Sequence, residues 1–331
     1  MRFLITGGCG FLGTNLVLKL LADHDNELVI VDNFSIRTED DLFADLKILA
    51  QFHTLGDDFR KRVRILKFDI TDSHNLNKTA KNCDILIHLA AQTGVIKSIE
   101  DPLYDCQQNI IGTLNVLEAA RKSQAQAVIF ASSGAPTGDA DPPIHEKTLP
   151  APKSPYGASK LAGETYCKVY EESYGLKTIC LRFGNAYGPC SDHKTSIVAS
   201  VIRSQLTQNV LNIYGDGDQT RDFIYVDDIV SAIMTGVATS REVSGLFQIA
   251  CGMQVSVNHL VSSISTLVRQ KTGIELLVKH STSIPGEIHH TYSNIKKASE
   301  ILGWAPKTEL QHGLETTVDY FISRYDRELS T

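Results

Sequence analysis

Tyr156 and Lys160 stand four residues apart, so a helix opening near Tyr156 puts a phenol and an ammonium on one face. A phenol with a reference pKa of about 10 is a poor base at neutral pH, and a neighbouring cation favours its phenolate. Upstream, Val128-Ile129-Phe130 predicts a buried strand that runs into Ala131-Ser132-Ser133-Gly134. A hydroxyl at a strand's carboxyl end, as Ser133 would be, is placed to meet that phenolate over a substrate. On its own, Tyr-x-x-x-Lys is an ordinary helix-surface pair, so the chemistry depends on what the other elements bring to it.

The amino terminus brings a nucleotide site. Arg2 to Thr6 is a short apolar run, followed by Gly7-Gly8-Cys9-Gly10-Phe11-Leu12-Gly13 and then by the helical pattern Leu16, Val17, Leu20, Leu21. Glycines between a strand and a helix permit a tight turn and close approach of backbone to a pyrophosphate, which the helix amino terminus then stabilises. The next strand, Leu28 to Val31, ends in Asp32, 19 residues beyond Gly13. An acid there suits ribose hydroxyls and repels a 2′-phosphate, so NAD is expected rather than NADP.

Arg37 to Lys61 reads as a helical, polar, exposed excursion. Val63 to Phe68 predicts a third strand ending in Asp69-Ile70, which could close over an adenine, and Asp84 to Leu89 a fourth running into Ala90-Ala91-Gln92. A long helix is expected from about Leu103 to Arg121, with Asn109 facing back toward the site or merely capping a contact. The strand–helix rhythm continues through Lys177–Leu181, giving an α/β, doubly wound parallel sheet of Rossmann type. After Arg182 the rhythm breaks. Residues 1–182, with about 222–250, are expected to form the dinucleotide domain; 183–221 and 251–331 form a smaller carboxy-terminal α/β substrate lobe.

The composition is 42% hydrophobic and 21% charged over 331 residues, with net charge -6. Such a balance gives no electrostatic case for nucleic acid or an anionic membrane. Seven cysteines with no C-x-x-C pair argue against a zinc site and a disulfide framework, and the histidines, including His88, read as packing or surface residues. Met1 running straight into a strand leaves no expected signal peptide, no apolar run nears the roughly 18 residues of a membrane span, and a reducing cytoplasm is the expected compartment.

Taken together, Thr6-Gly7-Gly8-Cys9-Gly10-Phe11-Leu12-Gly13, Val31-Asp32-Asn33, Asp69-Ile70, His88-Leu89-Ala90-Ala91, Tyr156-Gly157-Ala158-Ser159-Lys160, Arg182 to Pro189 and Gly217 to Asp228 resemble the extended short-chain dehydrogenase/reductase superfamily. The likeness is to its NAD-dependent sugar-nucleotide epimerase/dehydratase branch and spans nearly the whole chain. The resemblance implies that Tyr156 takes the sugar 4-hydroxyl proton, that Lys160 holds the nicotinamide ribose and depresses the tyrosine's pKa, and that Ser133 bonds the same hydroxyl. It implies NAD contacts from Gly7, Gly10, Phe11, Leu12, Gly13, Asp32, Asn33, Asp69, Ile70, Leu89, Ala90, Ala91, Gln92 and Asn109. Substrate contacts are expected from Ser132, Ser133, Asn185, Val198, Ile213, Tyr214, Arg221 and Glu287, with Asn185 and Arg221 on the diphosphate. It also implies a homodimer through the 103–121 and 156–174 helices, whose apolar positions Ile110, Leu114, Leu117, Tyr166, Val169 and Tyr170 are compatible with an interface.

Departures from the branch pattern narrow the reaction. Dehydrating relatives carry a carboxylate just after the active-site serine or threonine, whereas this chain has Ser133-Gly134-Ala135-Pro136. Without that proton carrier, C4 oxidation, rotation of the ketone and return of hydride becomes the leading expectation. The nucleotide-sugar substrate is expected to be a UDP-linked glucose/galactose-type or uronic acid sugar. Ala135 and Thr137 replace a usual Thr and Tyr, and Ile284 stands where a phosphate-binding arginine is usual. The rival readings are a 4-keto-sugar reductase, epimerisation at another carbon, and a non-catalytic dinucleotide-binding protein.

Overall fold

The computed structural model describes residues 1–49, 59–282 and 289–328. The amino-terminal half alternates strand and helix: β1 (Arg2–Thr6), α1 (Phe11–Leu21), β2 (Glu27–Asp32), α2 (Glu39–Leu49), β3 (Val63–Lys67), α3 (Ser73–Ala80) and β4 (Ile85–His88). Then come α4 (Val95–Glu100), α5 (Pro102–Cys106), α6 (Gly112–Ser123), β5 (Ala127–Ser133), α7 (Pro155–Tyr174) and β6 (Lys177–Phe183). The strands order as β3-β2-β1-β4-β5-β6 and pair in parallel throughout. Order reverses between β1 and β4, so the crevice outside their carboxyl ends is where such a sheet receives a ligand.

These elements form where the apolar pattern dictates. In β1, Phe3, Leu4 and Ile5 are buried, and in β2 so are Leu28 to Val31, as expected of strands covered on both faces. Helix α7 starts at Pro155, with the Ser154 hydroxyl accepting from Gly157 N–H at 3.1 Å, and stops at Gly175 in the left-handed region at φ 71°. The expected 103–121 helix is a composite: α5 and α6 are joined by a π turn, Gln107–Ile111, which contains Asn109. Such turns redirect side chains locally and are frequent at functional sites.

The rest of the chain adds β7 (Asn185–Tyr187), α8 (Ile197–Leu206), β8 (Val210–Tyr214), β9 (Thr220–Arg221), β10 (Phe223–Tyr225), α9 (Val226–Thr239), β11 (Gly245–Ile249), β12 (Val255–Ser256), α10 (Val257–Thr272), β13 (Leu277–Ser281) and α11 (Leu310–Glu328). β11 pairs with β6 and makes the main sheet seven-stranded, whereas β10 leaves it to pair with β7. Trp304 is buried and donates to Asp228 O at 3.1 Å and Ser231 Oγ at 2.8 Å, fastening the chain ahead of α11 to α9.

The 37–61 stretch corrects its sequence reading. Leu42, Leu46, Ile48 and Leu49 of α2 are buried, and so are Arg37 and Asp45, which pair with each other. Asp45 also accepts from Tyr320 Oη at 2.8 Å and from Arg324 at 3.1 Å, both on α11. The polar residues that read as solvated are ion-paired inside, because their partners lie at the far end of the chain. Residues 50–58 of that stretch lie outside the described residues.

Candidate functional site

The glycine loop joins β1 to α1 at the reversal point. Gly7 has φ 71°, and a Cβ there would sit 2.7 Å from Ala90 N, so only glycine lets β1 and β4 deliver both loops this close. A Cβ on Gly13 would meet Gly7 O at 2.4 Å, which fixes the helix against the turn. Helix α1 has Gly10 as its N-cap, no capping side chain and no acidic residue in its first turn, leaving its N–H groups directed at an incoming anion. Asp32 accepts from Cys9 N–H at 3.0 Å and Phe34 N–H at 2.9 Å, tying the end of β2 to the loop. Burial pushes its carboxyl above the usual range.

The side expected to face an adenine carries a small polar cluster. Asn33 Nδ2 donates to Asp69 at 2.7 Å, and Gln108 Nε2 donates to both Asp69 oxygens at 3.2 Å. Gln108 was not foreseen; its neighbour Asn109 was the one singled out. Ile70 is buried, its side chain pressed on Gly112 and its carbonyl accepting from Asn115 Nδ2 at 3.0 Å. Leu89, Ala90, Ala91 and Gln92 stay partly open beside the glycine loop, and Leu12 is partly open while Phe11 is buried. An unforeseen bridge lies beneath: Thr6 Oγ1 and Thr113 Oγ1 sit 2.7 and 3.0 Å from the two ring nitrogens of His88, whose pKa burial lowers to about 3. His88 is a neutral packed residue.

Asn109 has a different duty from the one expected. Its carboxamide is spent inside the protein: Oδ1 accepts from Gln92 N–H at 2.9 Å, and Nδ2 lies 3.0 Å from Gln92 O, 2.8 Å from Asp105 Oδ2 and 3.1 Å from Ser159 Oγ. At 1% exposure it offers no side-chain atom to a dinucleotide. It couples the β4 loop to the first turn of α7.

Ser133, Tyr156 and Lys160 come together at the carboxyl end of β5. The Ser133 side chain lies beside the Tyr156 phenol and favours its ionised form. Lys160 is 3% exposed; its Nζ donates to Ala131 O at 2.8 Å and lies 6.0 Å from the Tyr156 ring centroid. The expected fall of the phenol's pKa is reversed. Burial raises Tyr156 to about 12, with Ser133 pulling down and the Asp105 carboxylate pushing up. Burial likewise lowers Lys160 to about 8, opposed by Asp105 and Glu164. Desolvation outweighs the neighbouring cation, with Lys160 buried and Tyr156 partly so.

Among the expected substrate residues the outcome is mixed. Asn185 is exposed, its backbone N–H held by Asp222 O at 2.8 Å. Arg221 is partly exposed and donates to Thr220 O at 2.9 Å, and Tyr214 is 47% exposed. Ser132 is a correction: strand alternation turns it away from Ser133, and it donates to Glu164 at 2.5 Å. Val198 and Ile213 are 1% and 3% exposed within the core, so their side chains present no surface to a ligand. Glu287 and Ile284 lie outside the described residues.

An uncapped helix start behind Gly7, an acid on β2 and a Ser–Tyr–Lys set one crevice away fit NAD. Among the described residues no cluster of histidine, cysteine or carboxylate fits a metal ion, and no helix is long and apolar enough to cross a membrane. Comparison with known proteins agrees. Residues 3–250 match the NAD dependent epimerase/dehydratase family. A UDP-glucose 4-epimerase of Mycolicibacterium smegmatis is 31% identical over 98% of this chain and 99% of its own. A UDP-N-acetylglucosamine 4-epimerase from Methanobrevibacter ruminantium, solved with UDP-N-acetylmuramic acid, superposes with TM-score 0.86 at 31% identity, covering 98% of each chain. A UDP-glucose 4-epimerase from Thermotoga maritima, solved with UDP-glucose, gives TM-score 0.85 at 31% identity over 98% of this chain and 100% of that one.

Proposed function

The chain belongs to the NAD dependent epimerase/dehydratase family, and from that premise we propose that it inverts C4 of a UDP-linked sugar through a transient 4-keto form. When bound, NAD supplies the hydride acceptor, the returned hydride and a positive ring that favours phenolate. Tyr156 accepts the 4-hydroxyl proton and later gives it back. Ser133 hydrogen-bonds the same hydroxyl, so the proton moves along a preset line. Lys160, whose amine is buried close to the phenol, supplies positive charge while protonated. The convergence of Ser133 at the end of β5 with Tyr156 and Lys160 on α7, Lys160 Nζ lying 6.0 Å from the Tyr156 ring centroid and bonded to Ala131 O, is the observation that carries this reading.

Asp32, Asn33 and Asp69, with the backbone of the glycine loop and of residues 89–92, are assigned to NAD. Asn185 and Arg221 are assigned to the diphosphate, since an acidic protein needs local donors to hold one. The cofactor lobe is assigned to 1–182 and about 222–250, and the substrate lobe to 183–221 and 251–331. Glucose, its N-acetylated analogue and glucuronic acid are the candidate sugars. The missing carboxylate after Ser133 supports plain epimerisation over dehydration.

A cytoplasmic homodimer is the assembly we infer. Of the apolar positions on the two helices, Leu117 and Tyr170 are core residues, while Tyr166 and Val169 are 37% and 45% exposed. The exposed pair lines a groove of about 530 Å³ with Pro152, Ala158, Leu161 and Ala162, a shape suited to a second copy's helix.

Purified protein incubated with UDP-glucose, UDP-glucuronic acid and UDP-N-acetylglucosamine, without added cofactor, is expected to yield the C4 epimer of at least one. Conversion only with added NADPH would make it a keto-sugar reductase instead.

A further inference from the structure

Asp105, on α5, is 1% exposed. Its Oδ2 accepts from Asn109 Nδ2 at 2.8 Å, while Oδ1 is buried without a hydrogen-bond donor among the described residues. A carboxylate so placed is costly unless a cation offsets it. Lys160 is that cation: Asp105 is the strongest neighbour holding the proton on its buried amine. The same carboxylate opposes ionisation of Tyr156. Ser159, one residue before Lys160, joins the cluster through Asn109 and donates on to Tyr156 O at 3.1 Å.

The other titratable groups facing this cluster are accounted for. Glu164 of α7 is held by Arg182 of β6, and His88 of β4 is neutral. Cys167 is buried on α7, while Lys97 and Glu100 of α4 point to solvent. Asp105 is therefore the one carboxylate among them whose charge is offset by Lys160 rather than by an arginine, and it acts on both members of the reacting pair.

We propose that Asp105 is a positioning residue of the reaction: it keeps the Lys160 ammonium charged and, through Asn109 and Ser159, clamps the turn of α7 that carries Tyr156. This rests on the 4-epimerase reading above. Because a negative charge holds protons on phenol and amine alike, it raises the pH at which each gives up its proton, and removing it moves both transitions the same way.

The test uses the NAD-loaded protein with two neutral variants, Asp105→Asn and Asp105→Ser, beside the charge-keeping Asp105→Glu. One readout is kcat/KM for the UDP-sugar against pH. A second, needing no turnover, is ultraviolet difference absorbance of the Tyr156 phenolate, with Tyr156→Phe as the blank. Both limbs of the profile and the tyrosinate transition are expected to move about one pH unit toward acid in the neutral variants, as loss of one nearby charge requires, and to stay put in Asp105→Glu. A neutral variant that loses rate equally at every pH, with the phenolate titrating as in the parent, overturns the proposal. If the parent epimerises no UDP-sugar, the functional reading fails, and the tyrosinate titration still decides the role of Asp105.

Discussion

Arg182 on β6 grips Glu164 on α7 through two hydrogen bonds of 2.7 and 2.6 Å, and the two side chains are only 2% and 6% exposed. Glu164 lies one turn beyond Lys160, so the ion pair bolts the helix that carries the reacting groups to the sheet. Ser132 adds a third donor to the same carboxylate. Buried pairs gain little net stability when made, because desolvation offsets attraction, yet breaking one strands a charge.

Glu164→Ala should therefore cost about 3–5 kcal/mol of unfolding free energy, the usual consequence of an abandoned buried charge. Glu164→Ala with Arg182→Met should recover most of that loss. Urea denaturation of the parent and the two variants checks it, and a double variant no more stable than the single would refute the ion-pair account.

His88 gives the protein a pH dependence with a defined sign. Its folded pKa is about 3 against an ordinary 6.5, so below pH 6.5 the unfolded chain binds a proton that the folded chain refuses. Stability from this residue is whole above pH 6.5 and drains as pH falls toward 3, at about 1.4 kcal/mol per pH unit. His193, lowered to about 4 by burial, adds in the same direction. His88→Asn should flatten the slope of unfolding free energy between pH 6 and about 4 by roughly one proton's worth. Parallel slopes in parent and variant would sink the assignment.

The assignment of Asp32 to the NAD ribose makes a prediction about cofactor choice. Its carboxylate holds the Cys9 and Phe34 N–H groups, so with the ribose assigned to it Asp32→Asn weakens the loop and removes the repulsion of a 2′-phosphate together. The variant should carry about tenfold less NAD, a loss of about 1.4 kcal/mol, and gain measurable NADP. Chromatography of dinucleotide released from denatured protein reads both. Unaltered NAD selectivity would move the discriminating role elsewhere.

The sequence made the parallel sheet, the glycine turn and the Ser133–Tyr156–Lys160 set legible, because each is written in short-range spacing. What it concealed depends on burial and distant partners. Ser132 and Ser133 are equivalent as letters, and only the end point of β5 decides which faces the crevice and which faces Glu164. The direction of the Tyr156 shift follows from desolvation, which no spacing records. Asn109 was found but misassigned, since its four contacts come from α5, α7 and the β4 loop. Arg37 and Asp45 looked solvated because Tyr320 and Arg324 lie some 280 residues away.

The outer face of α7 carries the last prediction. Val169 is 45% exposed and Tyr166 37%, both bordering the groove that two copies would share. A carboxylate forced into such a contact meets its own symmetry mate across a two-fold axis, where desolvation and like-charge repulsion add. Val169→Glu is accordingly expected to weaken self-association by about a thousandfold, or about 4 kcal/mol, while the exposed position leaves the folded monomer intact. Sedimentation velocity at micromolar concentration should give a dimer for the parent and a monomer for the variant, with bound NAD equal in both. A parent that sediments as a monomer removes the dimer, and a variant that stays dimeric moves the interface to another face.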